Sequence, residues 1–139
     1  MEGLERFVEA QQPVYRTVLE DLREGRKRSH WMWFVFPQLR GLGASAMSRR
    51  YGIASLEEAA AYLAHPLLGP RLNECTEAVG RHRGRSAEAL FGAVDALKLR
   101  SSTTLFELAG GGPQFRRCLD AYFGGEADRR TIDLLDLDS

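Results

Sequence analysis

The chain has 139 residues, 44% hydrophobic and 27% charged, with nineteen basic against nineteen acidic side chains. That length suits one domain, residues 1–139, with a real core. Zero net charge excludes the broad cationic field by which many chains hold nucleic acid or anionic lipid.

Helical signals dominate from the start. Leu4 to Gln11 and Val14 to Arg23 carry apolar residues at helical spacing, with Pro13 between them and Gly25 as a stop. Trp31 to Phe36 is six large apolar residues in a row, a composition that suits a strand. Ser29 as a cap and Pro37 as a stop suit a short buried helix, and no second strand offers itself as a partner. Ser55 with Glu58 forms a capping box for a helix through Leu63. Pro66 fits the first turn of a helix to about Arg81, with Leu68, Leu72, Cys75 and Val79 as its buried stripe. A short helix over Ala87 to Phe91, one over Asp95 to Leu108, one over Gln114 to Phe123 and a last one over Arg129 to Leu137 capped by Asp128 complete the reading. Gly110 to Pro113 breaks the chain between two of these helices. The expected fold is all-α, a compact multi-helical single domain of about six to eight short helices.

The cysteines, Cys75 and Cys118, are far apart and outside any CxxC, so a disulfide framework is not expected. Charge throughout Met1 to Ala10 speaks against a secretory leader, and the Trp31 run is too short to cross a bilayer. The expectation is a cytoplasmic protein. His30, His65 and His82 lie far apart without HxxxH or HExxH spacing, so no metal and no cofactor is expected.

Three motifs carry a family resemblance. The first is Gly25-Arg26-Lys27-Arg28-Ser29-His30-Trp31-Met32-Trp33-Phe34-Val35-Phe36-Pro37-Gln38, followed by Gly41-Leu42-Gly43, Ser45 and Met47-Ser48. The second is Ala61-Tyr62-Leu63, His65-Pro66, Leu68-Gly69 and Arg71-Leu72; the third is Phe91-Gly92, Asp95, Lys98-Leu99-Arg100-Ser101-Ser102 and Thr104-Leu105-Phe106. Over nearly its whole length the chain resembles the "domain of unknown function 1810" family. It departs at Val94, where such proteins usually carry proline, at Ala96, often an acid there, and at Thr103, where methionine is usual. The resemblance implies a compact multi-helical bacterial domain and no established reaction. A calpastatin-like label, sometimes attached to such proteins, has no support in these residues.

The residues themselves suggest where function lies. Lys27 and Lys98 are the only lysines, against seventeen arginines, and each sits in a serine-containing polar cluster. Lysine offers a compact ammonium with a tunable pKa, which arginine does not. In the first cluster, Arg26, Lys27 and Arg28 supply charge, and Ser29, if it caps a helix, exposes amides to an anion. His30 is titratable, Trp31 and Trp33 offer π-faces, and Gln38 closes the stretch. The plain alternative is a surface loop in front of core tryptophans. The second cluster is Lys98, Arg100, Ser101, Ser102 and Thr104, whose hydroxyls cost helix propensity unless they approach a ligand or pack tightly. Gln38, Gly41, Gly43 and Ser45 form a flexible third, with Ser45 able to cap the next segment. Asp95 precedes Lys98 and is, with His30, the candidate for proton transfer; its plain alternative is a helix cap or an ion pair with Lys98. The basic stretch Arg81-His82-Arg83-Gly84-Arg85 reads as surface.

These clusters suggest a pocket lined by the Arg26–Gln38 and Lys98–Thr104 segments. Its ligand would be a small phosphate-bearing molecule or nucleotide, such as an ADP-ribose-like compound. Any catalysis would be hydrolytic, of N-glycosidase or phosphate-ester type, with His30 or Asp95 moving protons. Leu68-Gly69, Arg71-Leu72 and Glu74 behind a Trp-rich segment are similar in layout to NADAR-type N-glycosidases but share too few residues to mark membership. The alternative is a non-catalytic adaptor that meets a protein partner through Trp31–Gln38. RNA or DNA binding comes third, weakened by zero net charge and the lack of a known motif.

Overall fold

The computed structural model describes residues 3–137, the last without its side chain, as ten helices. They are α1 (Glu5–Gln11), α2 (Tyr15–Glu24), α3 (Met32–Val35), α4 (Ala46–Arg50), α5 (Leu56–Ala64), α6 (Leu68–Gly80), α7 (Ala87–Phe91), α8 (Ala93–Leu108), α9 (Pro113–Phe123) and α10 (Arg129–Leu137). Seven have seven residues or more; α3, α4 and α7 are single turns. The all-α reading holds. The one ladder contact among the described residues is an isolated parallel bridge between Leu39 and Ile53.

Local chemistry sets most boundaries. Ser45, Ser55 and Ser86 accept from the amides of Ser48, Glu58 and Ala89, and Asp128 accepts from Thr131, so four helices start where a capping side chain stands. Glu58 returns a bond to the Ala54 amide. Gly25 ends α2 at φ 73°, a conformation that glycine enters without penalty. Two boundaries differ from expectation. Pro66 lies in the turn before α6, and the His65 ring there accepts from the Leu67 and Leu68 amides through Nδ1. Helix α3 begins at Met32 with Trp31 at its cap position and no side-chain cap bond, so Ser29 is not a cap.

The long helix α8 is the centre, packed on α5, α7, α9 and α10. Its buried run Ser101–Phe106 is polar in composition, yet Ser101, Thr103 and Thr104 each donate to the carbonyl four residues back, on Leu97, Leu99 and Arg100. Bonded in this way, a hydroxyl is buried without the desolvation cost of an orphan group. Around α8 runs an aromatic chain: Phe115 stacks on Phe106, Phe106 meets Tyr62, Tyr62 meets Phe7 edge-on, and Phe7 reaches Tyr51 and through it Phe34. Trp31, Phe36 and Phe91 form a second cluster. At Gly69 a Cβ would stand 2.2 Å from the Leu63 carbonyl, so only glycine lets α6 cross the end of α5 this closely.

Buried polar anchors hold the connections. Arg6 donates to the carbonyls of Arg50 and Gly52 and pairs with Glu58, tying α1 to the turn before α5. Asp21, 2% exposed, accepts from the Trp31 indole at 3.0 Å and the Arg28 amide at 3.1 Å, which fixes how the chain leaves α2 and enters the core. Asp21→Ala strands both donors and is expected to lower stability by about 3 kcal/mol. A shift in the urea midpoint measures this; a loss within experimental error contradicts the anchoring role.

Both cysteines are buried and free. Burial pushes each thiol up from 9.0 to about 12. The unfolded chain therefore releases thiol protons above pH 9 that the native state keeps. Stability from this source is complete below about pH 9 and falls as pH rises toward 12. The urea midpoint should drop between pH 7 and pH 10, and less so in a Cys75→Ala, Cys118→Ala variant. In the native protein neither thiol should react with a disulfide reagent at pH 8; rapid labelling would contradict the burial.

Candidate functional site

The two lysines meet. After the α2 cap, the Lys27 amide donates to the Leu90 carbonyl at 2.9 Å, laying this strip of chain against α7. The Lys27 ammonium then turns inward, donates to the Ser29 carbonyl and sits 2.8 Å from Asp95 Oδ2. Asp95 stands in the first turn of α8, where the helix dipole favours a carboxylate. Its other oxygen, Oδ1, accepts from Lys98 Nζ at 3.2 Å. One carboxylate thus bridges two ammonium groups. The side chains of Lys27, Asp95 and Lys98 retain 7%, 18% and 17% of their exposure, so the group opens to solvent on the Asp95–Lys98 side.

Each ammonium also lies over an indole face: Lys27 at 5.2 Å from the Trp31 ring centre and Lys98 at 4.4 Å from that of Trp33. Such contacts contribute on the order of 1 kcal/mol and fix the direction of the charge. Trp31 is core, held from beneath by Asp21. Trp33 is half-buried and borders a narrow cleft with Gln38, Gly43 and Ser48. The aromatic stretch therefore divides: Trp31, Met32, Phe34, Val35 and Phe36 fill the core, while Trp33 and Gln38 reach the surface.

The other predicted positions sort by where their side chains go. Arg26 and His30 are exposed, and Arg28 pairs with Glu24 on α2, so the three-cation run sends only its lysine inward. Ser29 is half-buried beside Lys27, offering its carbonyl. Ser45 is spent on capping α4. Arg100 leaves the node, donating to the Glu126 carbonyl and pairing with its carboxylate. Thr104 accepts from the Asp128 amide at 2.8 Å, locking α8 to the start of α10. Ser101 bonds its own helix. Ser102 is different: 1% exposed, its hydroxyl has no hydrogen-bond partner, and it lies on the Asp95–Lys98 face of α8 by helical spacing.

Sequence reasoning missed Asp21, the buried acid that holds Trp31 under the node, and Arg6, the buried base that ties α1 to the turn before α5. The signal for Asp21 was present: it stands three residues after Val18 and one before Leu22, on the apolar stripe of α2. His82, read as surface, is half-buried with Nε2 2.8 Å from the Leu22 carbonyl, joining α6 to the end of α2. Among the described residues no cluster of histidine, cysteine, aspartate and glutamate could hold a metal, and no helix is long and apolar enough to cross a membrane.

Comparison with known proteins agrees with this architecture. The crystal structure of the conserved hypothetical protein Rv1873 from Mycobacterium tuberculosis superposes with a TM-score of 0.94 at 62% sequence identity, covering 96% of each chain. No curated protein matches the sequence. The profile described as "Protein of unknown function (DUF1810)" matches residues 1–135, and the chain belongs to that family.

Proposed function

We propose that the chain binds a small phosphate-bearing molecule at the open side of the Lys27–Asp95–Lys98 node. One observation carries the reading: two largely buried ammonium groups share a single carboxylate, so within the node positive charge exceeds negative by one, the next anion being Asp21 on the far side of the Trp31 indole. An unbalanced charge held away from water is costly, and an arriving anion removes that cost. Lys98 is the more exposed cation and meets the phosphate. Trp33, with its ring half-open, stacks against a flat group on the same ligand, and Gln38 and the unpartnered Ser102 hydroxyl supply neutral hydrogen bonds. Lys27 holds Asp95 in place from the inner side.

Asp95 has both oxygens engaged, so its part is to aim the ammonium groups rather than to carry a proton. His30, exposed two residues after Arg28, is the group free to do so. If the ligand is hydrolysed, His30 takes the proton from an attacking water while the lysines steady the charge that develops.

Two consequences are measurable. Without ligand, Asp95→Asn strands two cations and should lower stability by about 2 kcal/mol, whereas Lys98→Met removes the excess charge, keeps its packing on Trp33 and should leave stability unchanged or raised. Chemical denaturation of the two variants decides this; equal losses in both would mean an ordinary structural ion pair. In calorimetric titrations with inorganic phosphate, pyrophosphate, ADP-ribose and NAD, at least one ligand should bind the native protein and raise its melting temperature. Lys98→Met and Lys27→Met should each weaken that binding tenfold or more. Binding untouched in both variants, or none to the native chain, rejects the node as the site.

A further inference from the structure

A separate groove lies between α6 and α9, sharing no residue with the node. Its volume is about 460 Å³, within the range of roughly 300–1,000 Å³ usual for small-molecule sites. The lining includes small groups, buried Thr76 and Cys118, half-buried Gly80 and exposed Ala121, and the exposed Arg81, Arg83 and Arg117 stand on the rim. Among the described residues none of these three guanidinium groups has an ion pair or hydrogen bond; each is exposed. Elsewhere Arg6, Arg28, Arg100, Arg116 and Arg129 meet acids, while exposed Arg16 and Arg26 are also without a side-chain partner among the described residues, so it is the clustering of three on one rim that sets the groove apart. Glu77 and Asp120 lie along the same groove.

Gly80 supplies an independent sign. It closes α6 with a helical backbone, outside the left-handed region, and a Cβ there would meet nothing within 4 Å. Neither its conformation nor any neighbour requires glycine, and at this last helical position it costs less than the roughly 1 kcal/mol of a helix interior. What its missing side chain does is leave the groove floor open.

We propose that this groove binds a nucleoside phosphate. Guanidinium forks match phosphate oxygens in pairs, and three of them stand free on the rim. The carboxylates of Glu77 and Asp120 accept from ribose hydroxyls, the use that nucleotide sites make of acids. They also repel a uniformly acidic peptide, which would gain only from the arginines. The shallow floor of Gly80 and Ala121 admits a flat base. This site stands apart from the proposal for the node and neither requires nor excludes it.

ADP is the probe. It should bind the native protein in a calorimetric titration. Arg81→Ala and Arg117→Ala should each weaken it tenfold or more, and Gly80→Leu should abolish it by filling the floor. Gly80→Leu should melt no lower than the native chain, so lost binding there is not lost folding. Lys98→Met should leave ADP affinity unchanged. The proposal is overturned if ADP does not bind at millimolar concentration, or if Gly80→Leu and the arginine variants bind it as before. It is equally overturned if Lys98→Met alone removes binding, which would place the ligand at the node. In the Lys98→Met protein, where the node is disabled, pyrophosphate binding as tightly as ADP would overturn the nucleoside assignment, and binding of a single-stranded oligonucleotide without ADP would replace the small ligand by nucleic acid.

Discussion

The Asp95 carboxylate, shared between two ammonium groups, is the contact on which the arrangement of the candidate site depends. It joins the connection after α2 to the start of α8, two parts of the chain far apart in sequence. Because Lys27 also rests on Trp31 and Lys98 on Trp33, the same carboxylate fixes how the aromatic segment presents its two indoles. Ion pairs of this kind stabilise little on balance, since desolvation offsets most of the attraction. What they confer is geometry, and two cations against one anion is a geometry left electrically incomplete.

The remainder of the fold follows a related pattern. Ten short helices offer few long faces to pack, and several of their junctions are closed by a buried polar group. Arg6 gathers the carbonyls of the turn before α5 and Asp21 takes the Trp31 indole, while the half-buried His65 ring accepts the first amides of α6 where a serine often stands. Within α8 the hydroxyls of Ser101, Thr103 and Thr104 turn back to their own carbonyls, so a polar stretch becomes core. Ser102 breaks that pattern: it alone of the four lacks a partner, and it faces the side of α8 that carries the node.

Features governed by near neighbours were legible in the sequence. Ser45, Ser55 and Asp128 act as caps because a cap needs only the next few amides. The two lysines stood out against the arginine background, but no spacing rule could say that they converge, since that depends on how α7 and α8 bring Leu90 and Asp95 beside the loop. Ser29 was misjudged because the helix begins at Met32, which leaves no free helical amide within its reach. The hydroxyl run looked like a ligand face because bonds to carbonyls four residues back leave no trace in composition. Arg100 and Thr104 belong by residue type to a binding site, and by position to the junction with α10.

The two tryptophans occupy different solvent environments within one short segment, although each carries an ammonium group over its face. Trp31 is sealed in the core with its indole N–H on a carboxylate; Trp33 is half-open beneath an ammonium group. Their emission therefore carries two separable signals. Both rings lie under a node lysine, but the buried one is shielded from water by the fold while the outer one also meets solvent. The chain thus contains its own optical gauge, in which wetting of the outer indole and loss of the fold that shields the inner one are read from two different residues without an added label.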